Sequence, residues 1–239
     1  MRIIESGRSC NNCSRKNCFI NKYCSEEWKS FLTDHKTSYL IEPGEKIFSK
    51  GQQVKGVYTV FSGFIKVSDF DDKSERIVDL VTKEHILGYR ALGESVNVYS
   101  VTAESLSESE ITFFPADIFR IAVESNKELV RFIINLLAMK LRRSEIRYKN
   151  FQKMHALDKL ICSLNDIIET FGMEKEDETR LNFSLSRKDI AGLAATTYET
   201  VIRILGDLDK RNYIKIDGKE IKILDRKYFA ENAKKLMTL

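Results

Sequence analysis

The stretch from Leu185 to Leu224 constrains this chain more than any other. Ser186 is placed to cap a helix, with Asp189 three residues on as its short capping partner. Ile190, Leu193 and Ala194 mark one apolar face. Gly192, Ala194 and Ala195 are small, as suits a close crossing of two helices. Thr196 and Thr197 restart a helix that has Glu199 in its first turn and Val201, Ile204, Leu205 and Leu208 on its apolar side. A short helix, a tight turn and a second helix form a helix-turn-helix pattern. Tyr213 to Leu224 then alternates around Asp217-Gly218, a strong hairpin signal, so a β-wing follows.

In such a motif the first turn of the second helix faces the major groove. Those positions are Tyr198, Glu199 and Thr200, with Arg203 one turn further on. Arginine suits guanine O6 and N7, and glutamate accepts from cytosine N4. Ser186, Arg187, Lys188, Thr197 and Lys219 complete the expected DNA face. Lys188 and Lys219, with Lys210, Arg211 and Lys215, are candidates for phosphates, which position a protein without reading sequence. From Ser184 to Lys227 ten Lys/Arg oppose seven Asp/Glu, so the patch is only slightly basic.

The cysteines cluster. Four of the five lie within the first 24 residues, as Cys10-x2-Cys13-x4-Cys18-x5-Cys24. The N-terminus has no apolar core of the kind a signal peptide carries, so the expected compartment is the cytoplasm, where thiols stay reduced. Clustered cysteines then point to metal or redox chemistry, with an iron–sulfur cluster or zinc as the centre. Arg8, Arg15, Lys16 and Lys22 would offset the charge of four thiolates. Cys162 sits in the apolar pattern of Leu157, Leu160, Ile161 and Leu164 and reads as a small core residue.

Between these ends the hydrophobic period changes once. A helix is expected over Glu26 to Leu32. From Tyr39 to Phe114 short strand-like runs (Val57 to Phe61, Phe64 to Val67, Ile77 to Val81, Ile111 to Phe114) alternate with turn signals at Pro43-Gly44, Lys50-Gly51, Ser62-Gly63 and Asp71-Asp72. This is the pattern of a barrel or roll, and Pro115 ends it. From Phe119 to about Lys153 the period is helical. Ile134, Leu137, Leu141, Ser144, Tyr148 and Phe151 form an a/d seam that needs either a partner chain or the roll to pack on. A second helix is expected from Leu157 to Phe171, followed by an acidic loop from Gly172 to Thr179.

Charge narrows the class. The 39 basic and 35 acidic residues of this 239-residue chain leave a net +4, too balanced for a polybasic membrane tail. Apolar runs such as Phe132 to Met139 fall far short of the roughly 18 residues of a membrane span. His35, His85 and His155 are scattered, and no P-loop or dinucleotide fingerprint is present, so no enzyme is expected.

The order of parts, together with the string IAGLAATTYETVIRILGDL, resembles the Crp/Fnr superfamily of bacterial transcription regulators, over residues from about 28 to 225. The resemblance implies an α+β fold: a cyclic-nucleotide-binding-type β-roll, a long dimerisation helix and a C-terminal winged helix-turn-helix. The corresponding segments are 1–27 as a cysteine-rich sensor, 28–118 as the roll, 119–154 as the dimerisation helix and 155–239 as the DNA-binding domain. It implies a homodimer on palindromic operator DNA with RNA polymerase as a further partner. The family's base-reading Glu and Arg fall on Glu199 and Arg203. Ile202 stands where Ser or Gly is common, and Tyr198 where Arg or Val is. The cyclic-AMP cassette is not matched: Leu87 to Leu92 carries Tyr89 in place of its glutamate, and Asn97 to Thr102 has no arginine, so cyclic-AMP binding is not expected. Tyr89 and Arg90 would be the contacts of any other effector. The Fnr branch senses oxygen through a [4Fe–4S] cluster held by three N-terminal cysteines and one in the roll. This chain has no cysteine between Cys24 and Cys162, so all four ligands would be Cys10, Cys13, Cys18 and Cys24, with zinc or a thiol switch as alternatives.

Overall fold

The computed structural model describes residues 1–4, 9–70, 74–89, 93 and 97–238. The Asp71-Asp72 turn signal and Arg90 lie outside them. In chain order the elements are β1 (Arg2–Ile3), α1 (Phe19–Tyr23), α2 (Glu26–His35), β2 (Thr37–Ile41), β3 (Lys46–Phe48), β4 (Gly56–Ser62), β5 (Ile65–Phe70), β6 (Glu75–Val81), β7 (Ile86–Leu87), β8 (Thr102–Ser105), β9 (Ser109–Pro115), α3 (Ala116–Glu124), α4 (Lys127–Phe151), α5 (Ala156–Phe171), α6 (Arg187–Ala194), α7 (Tyr198–Lys210), β10 (Ile214–Asp217), β11 (Glu220–Ile223) and α8 (Arg226–Thr238). The chain forms two compact units, Met1–Asp69 with Val81–Lys140, and Phe70–Leu80 with Leu141–Leu239.

The first unit is a β-roll with helices on it. One sheet runs β1-β2-β9-β4-β7, and a second carries β3, β8 and β5 in that order. The central pairing is antiparallel, with Val57 opposite Phe114 and Val60 opposite Ile111, and a register shift between Val60 and Ser62. The turns are glycine-dependent as their dipeptides suggest. At Gly63 φ is +99°, and a Cβ there would strike the Ser109 side chain, so no other residue fits. The roll interior is filled by Ile41, Ile47, Phe48, Tyr58, Ile65, Val67, Tyr99 and Ile111. Phe48 and Tyr99 stack at 4.1 Å, and the Tyr99 hydroxyl donates to the Gly56 carbonyl at 2.7 Å.

Pro115 ends β9 and stands at the N-cap of α3. The continuous helix expected from Phe119 to Lys153 is broken, because Asn126 starts a new one. Its Oδ1 accepts from the backbone N–H groups of Glu128 and Leu129, and its Nδ2 donates to the Tyr23 carbonyl at 2.9 Å. Beneath α3 and the first turns of α4, Phe119, Ala122, Leu129 and Ile133 share one apolar cluster with Phe19, Ile20 and Leu32.

In the second unit α5 buries Leu160, Ile161, Leu164, Ile167, Ile168 and Phe171, together with Cys162. Gly172, at φ +70°, ends it. Gly192 of α6 lies against β6, where a Cβ would come within 2.9 Å of the Glu75 carbonyl oxygen. Its smallness therefore serves a helix–strand approach rather than the helix crossing expected from sequence. The hairpin pairs Asp217 with Glu220, so its turn is Gly218–Lys219, one residue later than Asp217-Gly218. Helix α8 is an addition to the expected elements. Asp225 caps it by accepting from the Tyr228 N–H at 2.8 Å, and Tyr228 stacks on Tyr213 at 3.7 Å.

Candidate DNA-binding face and cysteine cleft

The helix-turn-helix is held by local capping. Ser186 Oγ accepts from the Asp189 N–H at 3.0 Å and donates to Asp189 Oδ2 at 2.6 Å. The turn after α6 passes through Ala195 at φ 48°, ψ 52°, a left-handed conformation, with its N–H on the Ala191 carbonyl. Thr197 caps α7 by accepting from the Thr200 N–H. With Val201, Ile204, Leu205 and Leu208 buried, the opposite side of α7 is set. Tyr198, Glu199, Ile202 and Arg203 are exposed there, and Thr200 is half-buried. Thr197, Ser186, Lys188 and Lys219 are exposed as well.

Arg187 is placed differently. Its guanidinium donates to the Lys219 carbonyl at 3.0 Å and the Glu220 carbonyl at 3.3 Å. It ties the start of α6 to the wing turn instead of standing free among the expected DNA contacts. Nothing in its local sequence signals this.

The last turns of α4 carry a second tie that the sequence reading missed. Arg147 Nη1 meets Asp166 Oδ2 at 2.7 Å, and Arg143 Nη2 meets Asp166 Oδ1 at 2.8 Å. Arg147 Nη2 also donates to the Leu193 carbonyl at the end of α6, and its guanidinium carbon sits 4.4 Å from the Phe151 ring centroid. Burial pulls the Arg147 pKa down while Asp166 opposes the shift. Phe151, expected on the open seam, is thus half-buried under Arg147. The rest of the seam is open on the single chain: Ile134, Leu137, Leu141 and Tyr148 are 59%, 42%, 61% and 70% exposed, and Ser144 is exposed too.

The four N-terminal cysteines share one neighbourhood. Cys10, Cys13 and Cys18 line a cleft of about 520 Å³, part of it open to solvent, together with Arg15, Lys36, Phe61, Glu84 and Glu110. Cys24 is buried with Cys10 in the apolar cluster under α3. The segment is pinned by backbone contacts. Cys10 N–H donates to Thr33 Oγ1 at 2.9 Å, and Asn21 Nδ2 donates to the carbonyls of Cys13 and Arg15. Lys16 is exposed, Lys22 lies over the Tyr23 ring, and Arg8 is outside the described residues.

All five cysteines are free thiols. Burial pushes the Cys18 thiol up, with the neighbouring Cys10 and Cys13 adding to the shift against two backbone N–H groups. Burial, then Cys10 and Cys18, push Cys24 from 9.0 to about 11. Among the described residues no three Cys, His, Asp or Glu side chains are gathered closely enough to form a ready metal site. The expected ligand set is therefore assembled as a neighbourhood, not as a preformed coordination shell. A protonated thiol gains nothing from convergence, whereas a bound soft metal would gather thiolates. Four cysteines are the donor chemistry a four-thiolate centre needs, and three of them, Cys10, Cys13 and Cys18, share a cleft with a buried Arg15 Nε–H that has no acceptor among the described residues.

Comparison with known proteins decides the lineage. Residues 40–126 match the family model of the cyclic nucleotide-binding domain, and residues 159–231 match that of the Crp-like helix-turn-helix domain. The chain belongs to the Crp/Fnr superfamily. It is 23% identical over 192 residues to electron transport regulator A of Shewanella oneidensis, covering 77% of this chain and 74% of that one. It is 22% identical over 249 residues to the fumarate and nitrate reduction regulatory protein of Yersinia pestis, covering 98% and 94%. Among solved structures, FixK2 from Bradyrhizobium japonicum superposes with a TM-score of 0.71 at 18% identity, covering 82% of this chain and 96% of that one. A putative Crp/Fnr-family regulator from Eubacterium rectale gives 0.69 at 16%, covering 88% and 95%.

As a Crp/Fnr chain this protein is a DNA-binding transcription regulator, in a company of regulators rather than enzymes. The roll of this Crp/Fnr member places Tyr89 away from the interior that Phe48, Tyr58 and Tyr99 fill. Tyr89 is buried in the cluster that includes Cys10, Cys24 and Leu129. No described helix is long and apolar enough to cross a membrane.

Proposed function

We propose that this Crp/Fnr regulator binds palindromic operator DNA as a homodimer, and that the cysteine segment switches it in response to oxygen, nitric oxide or redox state by holding a [4Fe–4S] cluster. One observation carries the sensing half. The segment between Cys18 and Cys24 is fastened to the first turns of α4, the helix whose outer seam is open. Phe19 and Tyr23 stack on Phe132 at 5.4 and 5.1 Å, and the Tyr23 carbonyl accepts from Asn126.

Cys10, Cys13, Cys18 and Cys24 would hold the cluster. When bound it supplies iron–sulfur bonds that oxidants and nitric oxide break. The chain's own part is mechanical. Four ligated cysteines make residues 10–24 one rigid body, and Phe19, Tyr23 and Asn126 pass that rigidity to α4. Four free thiols leave the segment held by these contacts alone, which shifts the balance between two settings of the α4 pair. Glu199 and Arg203 read base edges, Tyr198, Thr200 and Thr197 flank them, and Ser186, Lys188 and Lys219 meet the backbone. Ile134, Leu137, Leu141, Ser144 and Tyr148 form the dimer seam.

The test is iron, zinc and acid-labile sulfide analysis of protein purified without oxygen, with a visible spectrum and operator gel shifts before and after air. Iron with sulfide, and affinity that changes in air, supports the reading. Zinc alone would make the cysteines a structural staple. Equal affinity with and without air overturns the switch and leaves DNA binding standing.

A further inference from the structure

Arg15 stands between Cys13 and Cys18, and its backbone is fixed. Its carbonyl accepts from the Cys18 N–H at 3.2 Å and from Asn21 Nδ2 at 2.9 Å. The side chain is fixed as well, its guanidinium carbon 4.5 Å from the Phe61 ring centroid on β4. It lines the cleft that Cys10, Cys13 and Cys18 line. Glu84 and Glu110 border the same cleft. Its buried Nε–H has no acceptor among the described residues. A buried donor without an acceptor is costly, and a protonated thiol is a poor acceptor. A thiolate or sulfide is a good one, and four thiolates around a cluster carry net negative charge.

We propose that Arg15 is a positioning residue for the cluster, donating its Nε–H to a sulfur of the four-thiolate centre and offsetting that centre's negative charge. This rests on the cluster reading above. Hydrogen bonds to the sulfurs and nearby charge set both the retention and the potential of such centres. A cation beside the centre favours its more negative, reduced form. Removing the cation therefore lowers the midpoint potential.

The wild-type chain, Arg15→Gln and Arg15→Lys are reconstituted without oxygen. They are compared by visible spectrum, by midpoint potential of one-electron reduction, and by iron retention against a chelator. All three are expected to take up iron and sulfide. Arg15→Gln retains iron about 10-fold less well, with a lower potential. Arg15→Lys, which keeps the charge without the Nε–H, falls between. Equal melting of the metal-free proteins shows that the fold is intact. An Arg15→Gln protein with wild-type potential and retention overturns this inference and leaves the cluster reading in place. A wild-type chain that takes up no iron and sulfide overturns both.

Discussion

Arg147 ties three helices together from one side chain: its own α4, α5 through Asp166, and the end of α6 through the Leu193 carbonyl. Its side chain is 18% exposed, against 48% for Arg143 on the same carboxylate. Replacing Arg147 with alanine leaves Asp166 Oδ2 and the Leu193 carbonyl without their Arg147 donor, with Arg143 still on Asp166 Oδ1, so it should cost about 2 kcal/mol in chemical denaturation. Arg143→Ala should cost less than about 1 kcal/mol, because its pair is solvated. On α7, Glu199→Ala or Arg203→Ala should lose about 1–3 kcal/mol of operator affinity and relax the preference at one base pair, as operator-variant gel shifts would show. Cys162 is pushed from 9.0 to about 12 by burial first and by Asp166 second. Its folded pKa lies above the unfolded one, so the native state holds the proton longer. The stabilisation is present in full below about pH 9 and is lost as pH rises toward 12. Denaturation midpoints should therefore fall across that range, and in Cys162→Ala this part of the fall should be missing. These residue roles divide by range. The exposed placement of Glu199 and Arg203 on α7 follows a short-period pattern and can be read from sequence. Arg147, Arg187 and Asn126 act through groups far along the chain, which no local spacing announces.

Elements were more legible than their ends. The helix-turn-helix could be read because its caps, Ser186 and Thr197, are local, and its apolar positions repeat at helical spacing. The wing turn came out one residue late because the pairing of Asp217 with Glu220, not the favoured dipeptide, sets the register. The break before α4 was hidden because an asparagine inside an apolar helical pattern looks tolerable until its amide bonds Tyr23. In α8, Asp225 as cap with Phe229 and Ala233 on one face was a usable signal. The seam of α4 carries its own test. Leu141 is 61% exposed on the single chain, so Leu141→Asp should fold normally. It should sediment as a monomer where the wild type sediments as a dimer, and operator affinity should drop about a thousandfold or more, to the non-specific level.

At the scale of the molecule, a net charge of only +4 gives little long-range pull toward DNA. Affinity then has to come from placed contacts, with Lys188 and Lys219 exposed on the face proposed to meet DNA. In a dimer each lysine counts twice. Lys219→Gln should flatten the slope of log affinity against log salt by about 2 while weakening all operator variants alike. The open seam has one more consequence. If the reading unit forms only when two seams meet, its abundance is second order in chain number. Below the dissociation constant of the pair, halving synthesis of the chain cuts the number of assembled readers to about a quarter, so expression level becomes a regulatory input in its own right, steeper than proportional and needing no ligand.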